Sequence, residues 1–74
     1  MQRFTTQERF APVGTSGQER LWRIEIIDNV TSDHLDVDVI AIVQRSPICP
    51  SDEYMRVNAA FLARAANDAA LAMK

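Results

Sequence analysis

Leu35-Asp36-Val37-Asp38-Val39-Ile40-Ala41-Ile42-Val43-Gln44-Arg45 is the stretch on which the fold turns. Successive side chains of a strand point to opposite sides of a sheet. Leu35, Val37, Val39, Ala41 and Val43 therefore line one face. The other face begins with Asp36 and Asp38 but continues with Ile40 and Ile42. The second half is apolar on both sides, which is the pattern of a strand that is central and covered on both faces. In a chain of 74 residues, two or three strands and one helix cover only one face. The second face is expected to be covered by the N-terminal segment or by another copy of the chain, and a homodimer is expected on that ground.

Working outward, residues 20–28 read as the strand that pairs with 35–45. Trp22, Ile24 and Ile26 alternate with Arg23 and Glu25, which puts the first three on one face and Leu21 and Ile27 on the other. Asn29 to His34 is rich in residues that bond their own backbone, and reads as a turn. Residues 1–19 are mostly polar, with a short edge strand expected from Arg3 to Phe10. Pro12 and the Gly14–Gly17 loop are expected to end it.

Downstream, Ser46-Pro47-Ile48-Cys49-Pro50 is a rigid connector. Ser51 fits a helix N-cap, followed by Asp52 and Glu53 in the first turn, where negative charge suits the helix dipole. A helix is predicted over 52–73, which lacks Gly and Pro and is crowded with Ala. At about 100° per residue, Tyr54, Met55, Phe61, Leu62, Ala65, Ala66, Ala69 and Met73 share a broad face. Arg56, Arg64, Asn67 and Lys74 lie opposite. Asn58 falls in the middle of the apolar face, and a buried amide left without a partner costs about 1–3 kcal/mol. It is expected either to bond a sheet or connector backbone group and fix how the helix docks, or to contact a partner. Asn67-Asp68 marks expected fraying. The predicted fold class is α+β: a two-layer domain with a two- or three-stranded antiparallel sheet, its hairpin at 20–45, packed by one C-terminal helix. Residues 1–19 form a leading segment and 20–74 the ββα domain.

The chemistry-bearing residues are few. Cys49 is the single cysteine and His34 the single histidine, so neither an internal disulfide nor a Cys/His zinc site is expected. Cys49 precedes a helix N-terminus, where thiols are activated, but catalysis also needs a base. It reads better as a small packing residue under the connector. Asp33, His34, Asp36 and Asp38 could offer oxygen ligands to a cation. They read better as a solvated strand end. Gly14 and Gly17 do not join a strand to a helix, as phosphate loops require. No catalytic, cofactor or metal residues are expected, and the chain is not expected to be an enzyme. The net charge of −2 argues against a nucleic-acid partner. No stretch is long and apolar enough for a membrane span. A lone thiol and the lack of an export signal point to the cytoplasm.

The run Asn58-Ala59-Ala60-Phe61-Leu62-Ala63-Arg64-Ala65-Ala66 resembles the tail of a group of short phage and prophage proteins. Their last helix, after two or three strands, reads roughly Asn-Ala-x-Leu-Ile-Ala-x-Ala-Pro. Asn58, Ala59, Leu62, Ala63 and Ala65 match. Phe61 replaces an aliphatic residue, and Ala66 stands where the group often has Pro. The resemblance covers this short run alone. It implies a phage or prophage origin and a recurring structural role for Asn58, and brings no activity with it. The expected function is that of a small accessory protein that binds a host or phage protein. Alternatives are a homo-oligomer that binds a small ligand and a purely structural domain. Trp22, Ile40, Ile42, Arg56, Asn58 and Arg64 are the residues expected to carry structural or interaction roles.

Overall fold

The computed structural model describes residues 2–33, 35–48 and 50–73. The readings of Cys49, of His34 in the acidic cluster and of Lys74 lie outside the described residues. Three strands precede one helix: β1, Phe4–Val13; β2, Gln18–Asp28; β3, Val39–Gln44; and α1, Asp52–Ala72. The sheet is antiparallel in the order β1-β2-β3, and α1 packs on one of its faces. This is the α+β, two-layer arrangement predicted.

The central strand is β2, not the apolar stretch that read as central. The reason lies in the N-terminal segment, which pairs with β2 along its whole length from Phe4↔Asp28 to Val13↔Gln18. With β1 on one side and β3 on the other, β3 is left at the edge. β1 continues through Pro12, which an edge strand tolerates because the missing donor falls on the unpaired side. Gly14 and Gly17, at φ 61° and 77°, form the turn where residues with a side chain would be strained.

Two irregularities change which side chains face the helix. Arg9 pairs with Arg23 but Phe10 pairs with Leu21, so Trp22 is an extra residue in β2. Such a bulge breaks the alternation. Leu21 therefore joins Ile24 and Ile26 in the core, and Trp22 sits beside Arg23 on the face without the helix, the reverse of the simple alternation. In β3 the register shifts where Ile26 pairs with Ala41 and Ile27 with Val39, which makes Ile40 the extra residue. β3 is also shorter than predicted. Residues 35–38 belong to a loop held by the Asp33 carboxylate, which accepts from the Leu35 and Asp36 N–H at 2.8 Å each, and by the Ser32 hydroxyl, which accepts from Asp38 N–H.

The core consists of Phe4, Leu21, Ile24, Ile26 and Val43 from the sheet and Met55, Ala59 and Ala63 from the helix, with Ala41, Ala66 and Ala70 at its margin. The Ser51 hydroxyl caps α1 by accepting from the Tyr54 N–H at 3.1 Å, as the sequence predicts. The buried face of α1 is not the predicted one. It is rolled by roughly one residue step of ~100°, so that alanines rather than the bulky residues meet the sheet. Small side chains let the helix backbone approach isoleucines closely, and burying them costs little side-chain entropy. Phe61 is left 70% exposed and Tyr54 51%. Asn58 is consequently half-buried on the flank, where its Nδ2 donates to the Tyr54 carbonyl at 2.9 Å.

Asn67 is an amide that ties the helix to the sheet. Its Oδ1 accepts from the Phe4 N–H and its Nδ2 donates to the Phe4 carbonyl, both at 2.9 Å. The position expected to fray is thus a tie between α1 and the start of β1, and the helix runs on to Ala72. A second tie is made by Arg45. Its guanidinium donates to the Leu21 carbonyl beside the bulge at 2.9 and 3.1 Å, to the Pro50 carbonyl at 2.6 Å, and to the Asp52 carboxylate. One side chain therefore joins β2, the connector and the helix start. Asn67→Ala removes both bonds to Phe4 and is expected to cost about 1–2 kcal/mol. For a chain of this size that lowers the thermal midpoint by about 5–10 °C. An unchanged midpoint in thermal denaturation would show that the helix docks without this tie.

Candidate interaction surface

The sheet face away from α1 carries Arg9 on β1, Arg23 and Glu25 on β2, and Ile40 and Ile42 on β3. Glu25 sits among arginines because alternation turns it away from the core that Ile24 and Ile26 enter. Its carboxylate accepts from Arg9 Nε at 2.8 Å and pairs with Arg23 Nη2 at 2.9 Å. These two caps leave Glu25 only 4% exposed. The Arg23 guanidinium also stacks over the Trp22 ring, 4.5 Å from its centroid. Its Nε is buried and has no partner among the described residues. Ile40 and Ile42, at 48% and 49% exposed, continue this face towards the outer edge of β3.

The outward face of α1 is a second apolar surface. Tyr54, Val57 and Phe61 recur at i, i+3 and i+7 opposite the alanine stripe, with Leu62 beside them, and all are exposed. On the β1 flank of the same helix, Arg56 pairs with Glu8 through Nε at 2.8 Å and Nη2 at 3.0 Å. This pairing holds the Glu8 carboxyl below its usual range. Arg64 is exposed at the rim of an open groove between β1 and α1, which Arg3, Thr6, Asn67 and Leu71 also line. Two of the polar groups of that groove are engaged internally, Asn67 with Phe4 and Arg3 with Asp28.

Asp28 ends β2 and is buried. Arg3 donates to both of its oxygens at 3.0 Å, and the Val30 N–H donates to Oδ1 at 3.0 Å. The hydrogen bonds from Arg3, foremost, hold the Asp28 carboxyl down at about 2. Nearby, Asp38 accepts from the Thr31 hydroxyl at 2.6 Å. The Asp33 and Asp38 carboxylates are thus engaged in shaping the loop between β2 and β3. No group of three or more metal-ligating side chains occurs among the described residues.

Of the residues singled out in the sequence, the structure brings Ile40 and Ile42 together on β3, with Trp22 on the same side of the sheet. Arg56, Asn58 and Arg64 lie apart from them on α1, on different flanks. Asn67, Arg45 and the Arg9–Glu25–Arg23 cluster escape a reading by sequence. A charged residue between strand isoleucines was the only signal for Glu25, and the tie from Asn67 to Phe4 spans 63 positions with no local signal. No described helix is long and apolar enough to cross a membrane. No protein-family model matches the chain, and no curated protein or solved structure is significantly similar to it.

The ion pair at Asp28 predicts a pH dependence. Its carboxyl titrates at about 2 in the folded chain against 3.8 when free. The stabilisation is therefore full above the free value and is lost as pH falls through the folded one. Asp28→Asn is expected to lower the thermal midpoint at neutral pH and to flatten its decline on acidification across that window. A variant that declines in parallel with the parent chain would show that the pair does not form.

Proposed function

We propose that this chain is a small accessory protein of phage or prophage type that acts by binding another protein in the bacterial cytoplasm, as a homodimer, rather than by catalysis. The observation that carries the reading is the outward face of α1. With alanines against the sheet, Tyr54, Val57 and Phe61 form an apolar surface that the domain itself leaves in water. Aromatic side chains are the usual anchors of protein interfaces, and their spacing suits a helix laid into an apolar groove on a partner. The resemblance of 58–66 to phage protein tails supports the origin. A nucleic-acid partner is disfavoured by the net charge of −2 and by the engagement of Arg3, Arg9, Arg23, Arg45 and Arg56 in internal pairs.

The test compares tagged parent chain with Phe61→Asp and with Thr15→Asp, a change at the exposed hairpin tip, as baits in bacterial lysate. Because Phe61 is solvent-facing, its substitution is expected to leave stability within about 0.5 kcal/mol. The expected result is one protein retained near one-to-one by the parent and by Thr15→Asp, and lost from Phe61→Asp. Equal retention by all three baits, or none by the parent, would overturn the proposal.

A further inference from the structure

The two edges of the sheet are treated very differently. The outer backbone groups of β1 belong to its even-numbered residues, because the Phe4 N–H and carbonyl reach out to Asn67. That edge carries the protections native edge strands use: a capping amide at Phe4, the Glu8–Arg56 pair and Pro12. On β3, the Arg45 N–H bonds the Trp22 carbonyl on β2 at 3.1 Å. By alternation, the N–H and carbonyl of Ile42 and Gln44 point away from β2. Among the described residues no side chain caps them, and Val39-Ile40-Ala41-Ile42-Val43-Gln44 has no charge, Gly or Pro.

We infer that β3 pairs antiparallel with β3 of a second copy, Ile42 opposite its counterpart, to make one continuous six-stranded sheet. The inference rests on the homodimer proposed above and names its surface. It gives the apolar β3, which holds an edge position in the protomer, the central position in the sheet and sets Ile42 against its counterpart across the seam. In the pair, β3 and its copy become the two central strands.

The shape of the chain agrees. A compact 8.3 kDa monomer exposes about 4,600 Å². This chain exposes 5577 Å², and its radius of gyration of 13.9 Å exceeds the ~11 Å expected at this length. Pairing along β3 removes part of that excess from each copy. The helices do not obstruct the pairing. The twofold axis runs perpendicular to the sheet, so both helices lie on one face, and α1 lies chiefly over β1 and β2. With strands ~4.8 Å apart, the helices are separated by ~14 Å or more, beyond the 8–10 Å of direct helix packing.

The competing arrangement, stacking of the two helix-free faces, brings Arg9 and Arg23 of one copy against those of the other. Each Glu25 neutralises one of its two arginines, so excess positive charge meets excess positive charge out of water. Edge pairing leaves those arginines solvated.

Sedimentation equilibrium of the full chain across the micromolar range tests this, with helical and strand content followed by circular dichroism. The parent chain is expected at twice its 8.3 kDa mass. Ile42→Lys sets like charges opposite one another and is expected to raise the dissociation constant about a hundredfold. Gln44→Pro removes an outward donor that the protomer's own ladder does not use, and is expected to do the same with the fold intact. Phe61→Asp is expected to remain dimeric. A dimer that survives both β3 substitutions would overturn the edge assignment while keeping the homodimer. A parent chain monomeric throughout would overturn both. If Ile42→Lys does not fold, Gln44→Pro decides.

Discussion

The rest of the structure depends on the reciprocal pair of hydrogen bonds between the Asn67 side chain and the Phe4 backbone. A residue on the outer edge of a strand presents one donor and one acceptor to the same side. An amide is the side chain that offers both complementary groups at matching spacing. Once Asn67 sits there, the roll of α1 is set. Ala59, Ala63, Ala66 and Ala70 turn to the sheet, Arg56 reaches Glu8 on the same flank, and Tyr54 and Phe61 are carried to the opposite side. The same contact guards the start of β1. The outward apolar face of α1 follows from where this one amide is held, and the open edge of β3 from the place of β1 on the other side of β2.

The layout of elements was legible because it rests on local signals. Ser51 followed by two acidic residues marked the helix start, an Ala-rich run without breakers marked its body, and alternation marked β2 and β3. What failed to read were features set by non-local partners. β1 looks polar and irregular by itself and becomes a ten-residue strand because β2 offers a full ladder. The bulge at Trp22 leaves no mark in a Leu-Trp-Arg-Ile run, yet it exchanges Leu21 and Trp22 between faces. The helix face was misplaced because projection weights bulky groups, whereas close approach to isoleucines rewards alanine. The tie from Asn67 did not read because its partner, Phe4, lies 63 positions away.

Arginine makes up seven of the eight basic residues. In the folded chain it is largely structural. Arg3, Arg9, Arg45 and Arg56 tie strand to strand, connector or helix, and Arg23 pairs with Glu25 within β2. A planar guanidinium suits this because it bonds in two directions at once, as Arg45 does. Arg20 and Arg64 make no ion pair among the described residues. The exposed groups left over for the proposed binding through α1 and β3 are therefore mainly apolar.

The most direct test of the docking geometry is residue-resolved amide hydrogen exchange in the intact chain. Phe4, Thr6 and Glu8 share the outer edge of β1 and have no ladder partner there. The Phe4 N–H is expected to exchange slowly, protected by Asn67, while those of Thr6 and Glu8 exchange fast. A Phe4 N–H that exchanges as fast as its two neighbours would contradict the tie and, with it, the face that α1 turns outward.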